Sequence, residues 1–446
     1  MILFQNGHVI SMDPGRPRTE RCDILIDGDR IRDMGRITPS EGVEVIDASR
    51  MILLPGLVNA HLHTWQTNLR GMAGNWTFGR YLQAMHQGLA TAYQPEDIAL
   101  SNRIGAMTQI HGGTTTLVDW CHNNPTPEHT DAAIDGLRAA GIRAVFMHGS
   151  PKPAPAPGQR PYSEIPMSRS EVERLAKAEL GPLIDLGLAI LGPRDSTFEV
   201  SVEDLKLARE FGLVASAHTG GRPFMYDGAI MRLAAEGLID GKVNFVHANN
   251  FTDDELALFH DCGGTITTTA EVELSMGFGR PLTGRWRDLG GDLSIGTDVE
   301  PACGADMFAS MRMTLQYQRD EDYRAAATAA VPLDESKLLT GYDALGWATM
   351  GGARMLGLED RIGSLAPGKA ADLIAFDCDD PLLAPVLDPI ATVVLHAGPS
   401  QVETVMIAGR FVKRHGRLVQ AIARSDTEAM EQSAKRIIAT AGAQLD

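Results

Sequence analysis

The stretch LLPGLVNAHLH, residues 53–63, carries an apolar run straight into two histidines spaced one residue apart. A short apolar run punctuated by Pro55-Gly56 reads as a buried strand. In an extended chain residues i and i+2 point to one face, so His61 and His63 converge on one point. Seven similar runs follow: TTTLVDWC (114–121), RAVFMHGS (143–150), LAILGPRD (188–195), LVASAHT (213–219), VNFVHAN (243–249), GTITTTAE (264–271) and DLSIGTDV (292–299). Helical patterns lie between them, two opening with capping-box pairs, Ser170 with Glu173 and Thr252 with Glu255. Eight strand–helix units predict an α/β fold, a (β/α)8 TIM-type barrel over residues 55–365, with its site at the C-terminal strand ends. A doubly wound sheet is the weaker alternative, because no G-x-G-x-x-G follows any strand.

Outside the barrel the texture changes. ILFQNGHVISMD and DILIDGDRIRDMG near the start alternate in β fashion around Asn-Gly and Asp-Gly. The same texture returns in ADLIAFD, TVVLHAG and VETVMIAGRFVKRHGRLV. The economical reading is one small β-sandwich domain built from both termini (1–54 and 366–424), with the barrel inserted and a C-terminal helix over 425–446. Pro151, Pro153, Pro155, Pro157 and Pro161 mark an extended loop after the third strand, a lid or an interface arm.

Composition narrows the function. With 44% hydrophobic and 22% charged residues among 446, the chain packs as an ordinary folded protein. Its net charge of −17 repels phosphate backbones and anionic lipid, so no nucleic-acid and no membrane partner is expected. No apolar run is long enough to span a bilayer, and the N-terminus lacks a signal peptide's basic and cleavage regions. Cys22, Cys121, Cys262, Cys303 and Cys378 are scattered and odd in number, which reads as reduced thiols in the cytoplasm.

The chemistry sits at the strand ends. His61, His63, His218, His247 and Asp298 all close strand-like runs at the same end of the expected barrel. Three or four imidazoles with one carboxylate suit a borderline-soft divalent metal, zinc first and iron second.

PGLVNAHLHTWQTNLRG (55–71), GGTTTLVD (112–119), SAHT (216–219), VHANN (246–250), SIGTDVEPACGADMFASMR (294–312) and GSLAPGKAADLIAFD (363–377) together resemble the amidohydrolase superfamily. Within it the likeness is to the aminohydrolase and chlorohydrolase branch, which acts on s-triazines, adenine nucleosides and related heterocycles. The resemblance implies that His61, His63, His218 and Asp298 ligate one metal ion. It implies a mononuclear site, since LAILGPRDST offers no lysine to bridge two metals. His247 matches the histidine that orients water or polarises substrate, and Asp298 is placed to take the water's proton. A homodimer is also implied.

One position departs from that pattern. Deaminases of this branch carry a glutamate three residues after the strand-five histidine, where this chain has Gly221. Glycine transfers no proton. On the seventh strand Glu271 and Glu273 would share a face and either would substitute as acid/base, with Glu300 a third candidate. Trp65, Gln66, Arg70, Trp76 and Trp120 are the candidate substrate-binding residues, Arg70 alternatively a structural salt bridge; Phe78, Tyr81, His122, Met225, Tyr226, Met276 and Phe278 are further wall candidates. The expected reaction is hydrolysis of a C–N bond in a small N-heterocycle, by deamination or dealkylamination. Alternatives are another leaving group on the same site, such as a cyclic amide or C–Cl, and a noncatalytic metal-binding protein.

Overall fold

Asp27-Gly28 makes the turn that its sequence predicts, joining Glu20–Asp27 to Arg30–Gly35 with Gly28 at φ 60°. Asn6-Gly7 instead lies inside the first strand, Ile2–Val9, as a bulge whose register shifts between Phe4 and Gly7. There Asn6 takes φ 64° and its N–H donates to Asp23 Oδ1 at 2.7 Å. The computed structural model describes residues 1–442.

The two ends of the chain build one nine-stranded mixed sheet. Its join is Met51–Pro55 antiparallel to Leu373–Asp377, with Leu53 opposite Ala375. Phe4, Ile24, Ile26, Leu53, Leu373 and Met406 share its buried core. Each such side chain contributes about 1.5–3 kcal/mol by leaving water. The chain forms two compact units. One comprises Met1–Ala60, Thr108–Thr116 and Asp306–Ala421; the other comprises His61–Met107, Leu117–Ala305 and the described residues from 422 on.

The second sheet is the (β/α)8 barrel. Its eight strands are β1 (Leu57–Leu62), β2 (Thr114–Cys121), β3 (Arg143–Gly149), β4 (Ile184–Ala189), β5 (Ala215–His218), β6 (Val243–Val246), β7 (Thr265–Thr268) and β8 (Leu293–Ile295). They follow in sequence order, as βα crossovers require. The segment after β8 closes on β1: His61 C=O accepts from Thr297 N at 3.1 Å and Asp298 N at 2.9 Å, and His63 N donates to Asp298 O at 2.8 Å. Gly296 permits this approach, because a Cβ there would sit 2.6 Å from His61 O.

Three local expectations need correction. The fourth strand ends at Ala189, and the Gly-Pro-Arg-Asp that follows is a helical turn, Gly192–Asp195, with Pro193 near its start. The seventh strand ends at Thr268, and Ala270–Ser275 is a short helix. Glu271 and Glu273 therefore do not share a face as they would on a strand. Ser170 is not a cap: the helix Arg169–Lys177 is capped by Ser168, which accepts from Glu171 N. The Thr252–Glu255 capping box forms as read.

Candidate metal centre

β1 delivers His61 and, one residue past its end, His63; their ring centroids lie 4.8 Å apart. β5 ends on His218, and Asp298 follows β8 by three residues. The Nε2 of His218 lies 3.2 Å from Nε2 of His63 and 3.3 Å from Nε2 of His61. Asp298 Oδ1 is 3.3 and 3.4 Å from the same two histidines. One ligand atom from each residue lies within 4.8 Å of all the others, and all four residues are buried.

Hydrogen bonding orients the set. His63 Nδ1 lies 2.7 Å from Trp120 O. A carbonyl only accepts, so Nδ1 bears the proton and Nε2 turns its lone pair inward. Burial depresses the pKa of His61, and that of His63 and His218 well below the ordinary imidazole value. For Asp298 burial pulls upward, yet the hydrogen bond and charge of His61, with His247 and His63, hold it far below the usual carboxylate range. Converging imidazole nitrogens at hydrogen-bond distance, facing a carboxylate, fit a divalent cation of the zinc type.

His247 follows β6 directly. Its Nδ1 meets Thr269 Oγ1 at 3.1 Å and Glu273 Oε1 at 3.4 Å, while its Nε2 faces Asp298 Oδ2 at 3.8 Å. Both His247 (φ 74°) and Asp298 (φ 63°) hold left-handed backbone, a strain of about 1–3 kcal/mol each. Trp120, fully buried, packs its ring 4.2 Å from that of His218.

A small cavity of about 20 Å³, room for about one water, adjoins this group. Its walls include Phe78, Tyr81, Leu82, His86, His122, Lys152, Arg194, Val272, Met276 and Phe278. Trp65, Gln66, Arg70, Trp76 and Trp120 are not among the lining residues described. Trp65 Nε1 donates to His122 Nδ1 at 3.3 Å, leaving the His122 Nε2–H to face His86 Nε2 at 3.4 Å. Gln66 Nε2 donates to Tyr81 OH at 2.7 Å, Arg80 stacks over Trp76 at 5.3 Å, and Arg70 pairs with buried Glu300. Trp65 and Gln66 thus bond to the wall residues His122 and Tyr81 without lining the cavity themselves.

Glu273 is fully buried and heavily bonded. It accepts from Thr269 N at 2.8 Å, Thr268 Oγ1 at 2.9 Å and Asn249 Nδ2 at 3.1 Å. Neither Glu271 nor Glu273 lines the cavity. Gly221 has φ 81°, and a Cβ on it would lie 2.9 Å from Phe78 Cε1 and 3.3 Å from Phe278 Cδ1. Those two rings, 4.4 Å apart edge to face, occupy the space a larger residue there would need.

Sequence reading missed Lys152, Arg194 and Asp195. The signal was a charged Arg-Asp pair directly after the fourth apolar run, at the barrel end where polar residues read as functional. Lys152 gave none, standing in the proline-rich loop.

Comparison with known proteins adds the following. The amidohydrolase family pattern matches residues 52–230 and 280–412. A 5-methylthioadenosine/S-adenosylhomocysteine deaminase of Symbiobacterium thermophilum is 28% identical over 432 residues, covering 92% of this chain and 93% of its own. An adenosine deaminase structure from Xanthomonas campestris with bound zinc superposes with TM-score 0.80 at 23% identity, over 98% of each chain. Atrazine chlorohydrolase from Arthrobacter aurescens, complexed with zinc, does so with TM-score 0.84 at 22% identity, over 97% of this chain and 100% of that one.

Proposed function

The chain belongs to the amidohydrolase family as a hydrolase acting on carbon–nitrogen bonds, and from that premise we propose that it removes an amine from a small N-heterocycle at a single zinc ion. The observation that carries this reading is the convergence of His61, His63, His218 and Asp298. The purine amines named for the relatives and the flat walls of Phe78 and Phe278 support a planar heterocycle. Zinc in the similar structures supports the choice of metal. The same reading takes the protein as a cytoplasmic homodimer, in keeping with its free thiols and the family resemblance.

His61, His63, His218 and Asp298 would hold the metal, which when bound supplies the Lewis acidity that makes water nucleophilic near neutral pH. Asp298 Oδ2, on the side away from His61, accepts the proton of the attacking water and returns it to the departing amine. His247 presents Nε2 beside that oxygen and, as the imidazolium with Nδ1–H held by Glu273, donates its Nε2–H to the charge that develops on the attacked ring. Glu273 and Thr269 hold the His247 ring in place from its other nitrogen, so Glu273 is a positioning residue. The cavity is smaller than a heterocycle, so substrate entry moves its walls.

Ammonia release from zinc-loaded protein, across aminated purines, pterins, pyrimidines and triazines, tests the proposal. Release from at least one compound, lost in Asp298→Asn, is expected; silence across the panel with zinc bound overturns it. Gly221 favours a second reading. With no carboxyl there to protonate a ring nitrogen, a leaving group that needs less protonation, chloride or a cyclic amide, suits the same metal site, and chloride release would identify it.

A further inference from the structure

Beside the metal centre, three cations converge on one carboxylate. Lys152 Nζ lies 2.6 Å from Asp195 Oδ2, Arg194 Nη2 lies 3.0 Å from the same oxygen, and Arg222 takes Oδ1. Lys152, Arg194 and Asp195 are only 5%, 3% and 1% exposed. Arg222, about a third exposed at 34%, satisfies one oxygen; two buried cations are left to share the other. A staple between loops needs one cation per carboxylate, and a surplus buried charge is unfavourable unless an anion joins it.

The surplus faces the reaction site. Lys152 and Arg194 line the same cavity as His63, His218 and His247, whereas Asp298 is the sole carboxylate among the lining residues described. Arg194 Nη1 donates to Gly220 O at 2.8 Å, but its buried Nε has no hydrogen-bond partner. The guanidinium lies 5.4 Å from the Phe78 ring, beside the Gly221 position from which the deaminase glutamate is missing. The chain thus lacks an acid where it presents a buried base. Burial brings the Lys152 ammonium down to about 8 despite Asp195, consistent with an ion short of counter-charge.

We propose that the site takes a heterocycle bearing an oxyanion, a carboxylate or a phosphate, which Lys152 and Arg194 receive at the cavity wall. The proposal rests on the reading of this cavity as the substrate site and names the class of substrate it selects. Arg offers a planar fork to such a group and Lys a point charge, the usual pair for oxyanion recognition.

The test is calorimetric binding to zinc-loaded protein of matched probes: nicotinate against nicotinamide, and adenosine 5′-monophosphate against adenosine. Wild type should prefer the anion of at least one pair by about tenfold or more, and which pair responds tells carboxylate from phosphate. Lys152→Met and Arg194→Met should each reduce that preference to within about twofold at unchanged zinc content, while Lys152→Arg retains it. A wild-type ratio near one in both pairs overturns the proposal whatever the variants do. So does a preference that survives both Met variants, since the anion would then be seated on the metal. Anion preference without turnover of any amine would refute the reaction proposed above and leave this inference standing.

Discussion

Glu273 Oε1 lies 3.4 Å from Nδ1 of His247, within a carboxylate that also accepts Thr268, Thr269 and Asn249 donors. A carboxylate only accepts, so this pairing protonates Nδ1 and leaves Nε2 to face Asp298. Glu273→Gln puts an amide N–H₂ among those donors. Turnover should fall about 10–100-fold, the usual range for a group that orients a ligand or catalytic histidine. The drop should appear in kcat more than in KM, with zinc content unchanged. Glu271→Gln should stay near wild type, since Glu271 does not line the cavity. Steady-state kinetics of both variants decide the matter: loss in Glu271→Gln alone would reverse the assignment.

Metal removal should expose the repulsion of His218 Nε2 with the Nε2 atoms of His63 and His61, 3.2 and 3.3 Å away. A metal at about 1,000 times its Kd stabilises the folded state by about 4 kcal/mol. Dialysis against a chelator should therefore lower the thermal midpoint and abolish activity, and one equivalent of zinc should restore both. His61→Ala and Asp298→Asn should lose the zinc response. An unchanged midpoint after verified metal removal would contradict the assigned ligand set.

Gly221→Glu should not turn the protein into a better deaminase. The position holds φ 81°, and its Cβ would press within 2.9 Å of Phe78. A side chain there costs about 1–3 kcal/mol in backbone strain alone, and Phe78 must move besides. The variant should unfold at lower temperature with no gain in ammonia release. Adding Phe78→Ala should recover part of the stability by opening the space. A single Gly221→Glu change that raised turnover without loss of stability would show that the glycine is not shaped by its aromatic neighbours.

The metal residues were legible because each closes an apolar run, and strand ends at one barrel mouth converge whatever the loops between them do. Misreadings arose where two periods fit the same letters. Ala270–Leu274 alternates apolar and acidic as a strand would, yet Glu273 accepts from Thr269 N four residues back and fixes a helix. Ile190–Leu191 looks like the end of β4, but Gly192 at φ 60° and Pro193 turn the chain first. Lys152 lies in a proline-rich loop without periodicity, so only its long-range contact with Asp195 reveals it. Trp65 and Trp120 stand where a pocket residue would in the sequence, which does not distinguish a ring lining the cavity from one packed behind its wall, as both are.

Asp204 supplies a pH dependence remote from the metal residues. It is 1% exposed in the helix Phe198–Glu210; Oδ1 accepts from Met167 N at 2.8 Å, and Oδ2 is buried without a partner. Burial, aided by Glu203, raises its pKa to about 7 from the ordinary 3.8. The folded state thus binds the proton more tightly than the unfolded one. Its stability contribution is complete below about pH 4, where both states are protonated, and shrinks as pH rises towards 7. At about 1.4 kcal/mol per unit, the loss is on the order of 4 kcal/mol, constant above pH 7. Asp204→Asn, which stays neutral and keeps an oxygen for Met167, should remove this slope. Urea unfolding at pH 5 and pH 8 should show the variant's advantage over wild type growing by about 3 kcal/mol between the two. Equal differences at both values would mean that Asp204 ionises normally in the folded protein.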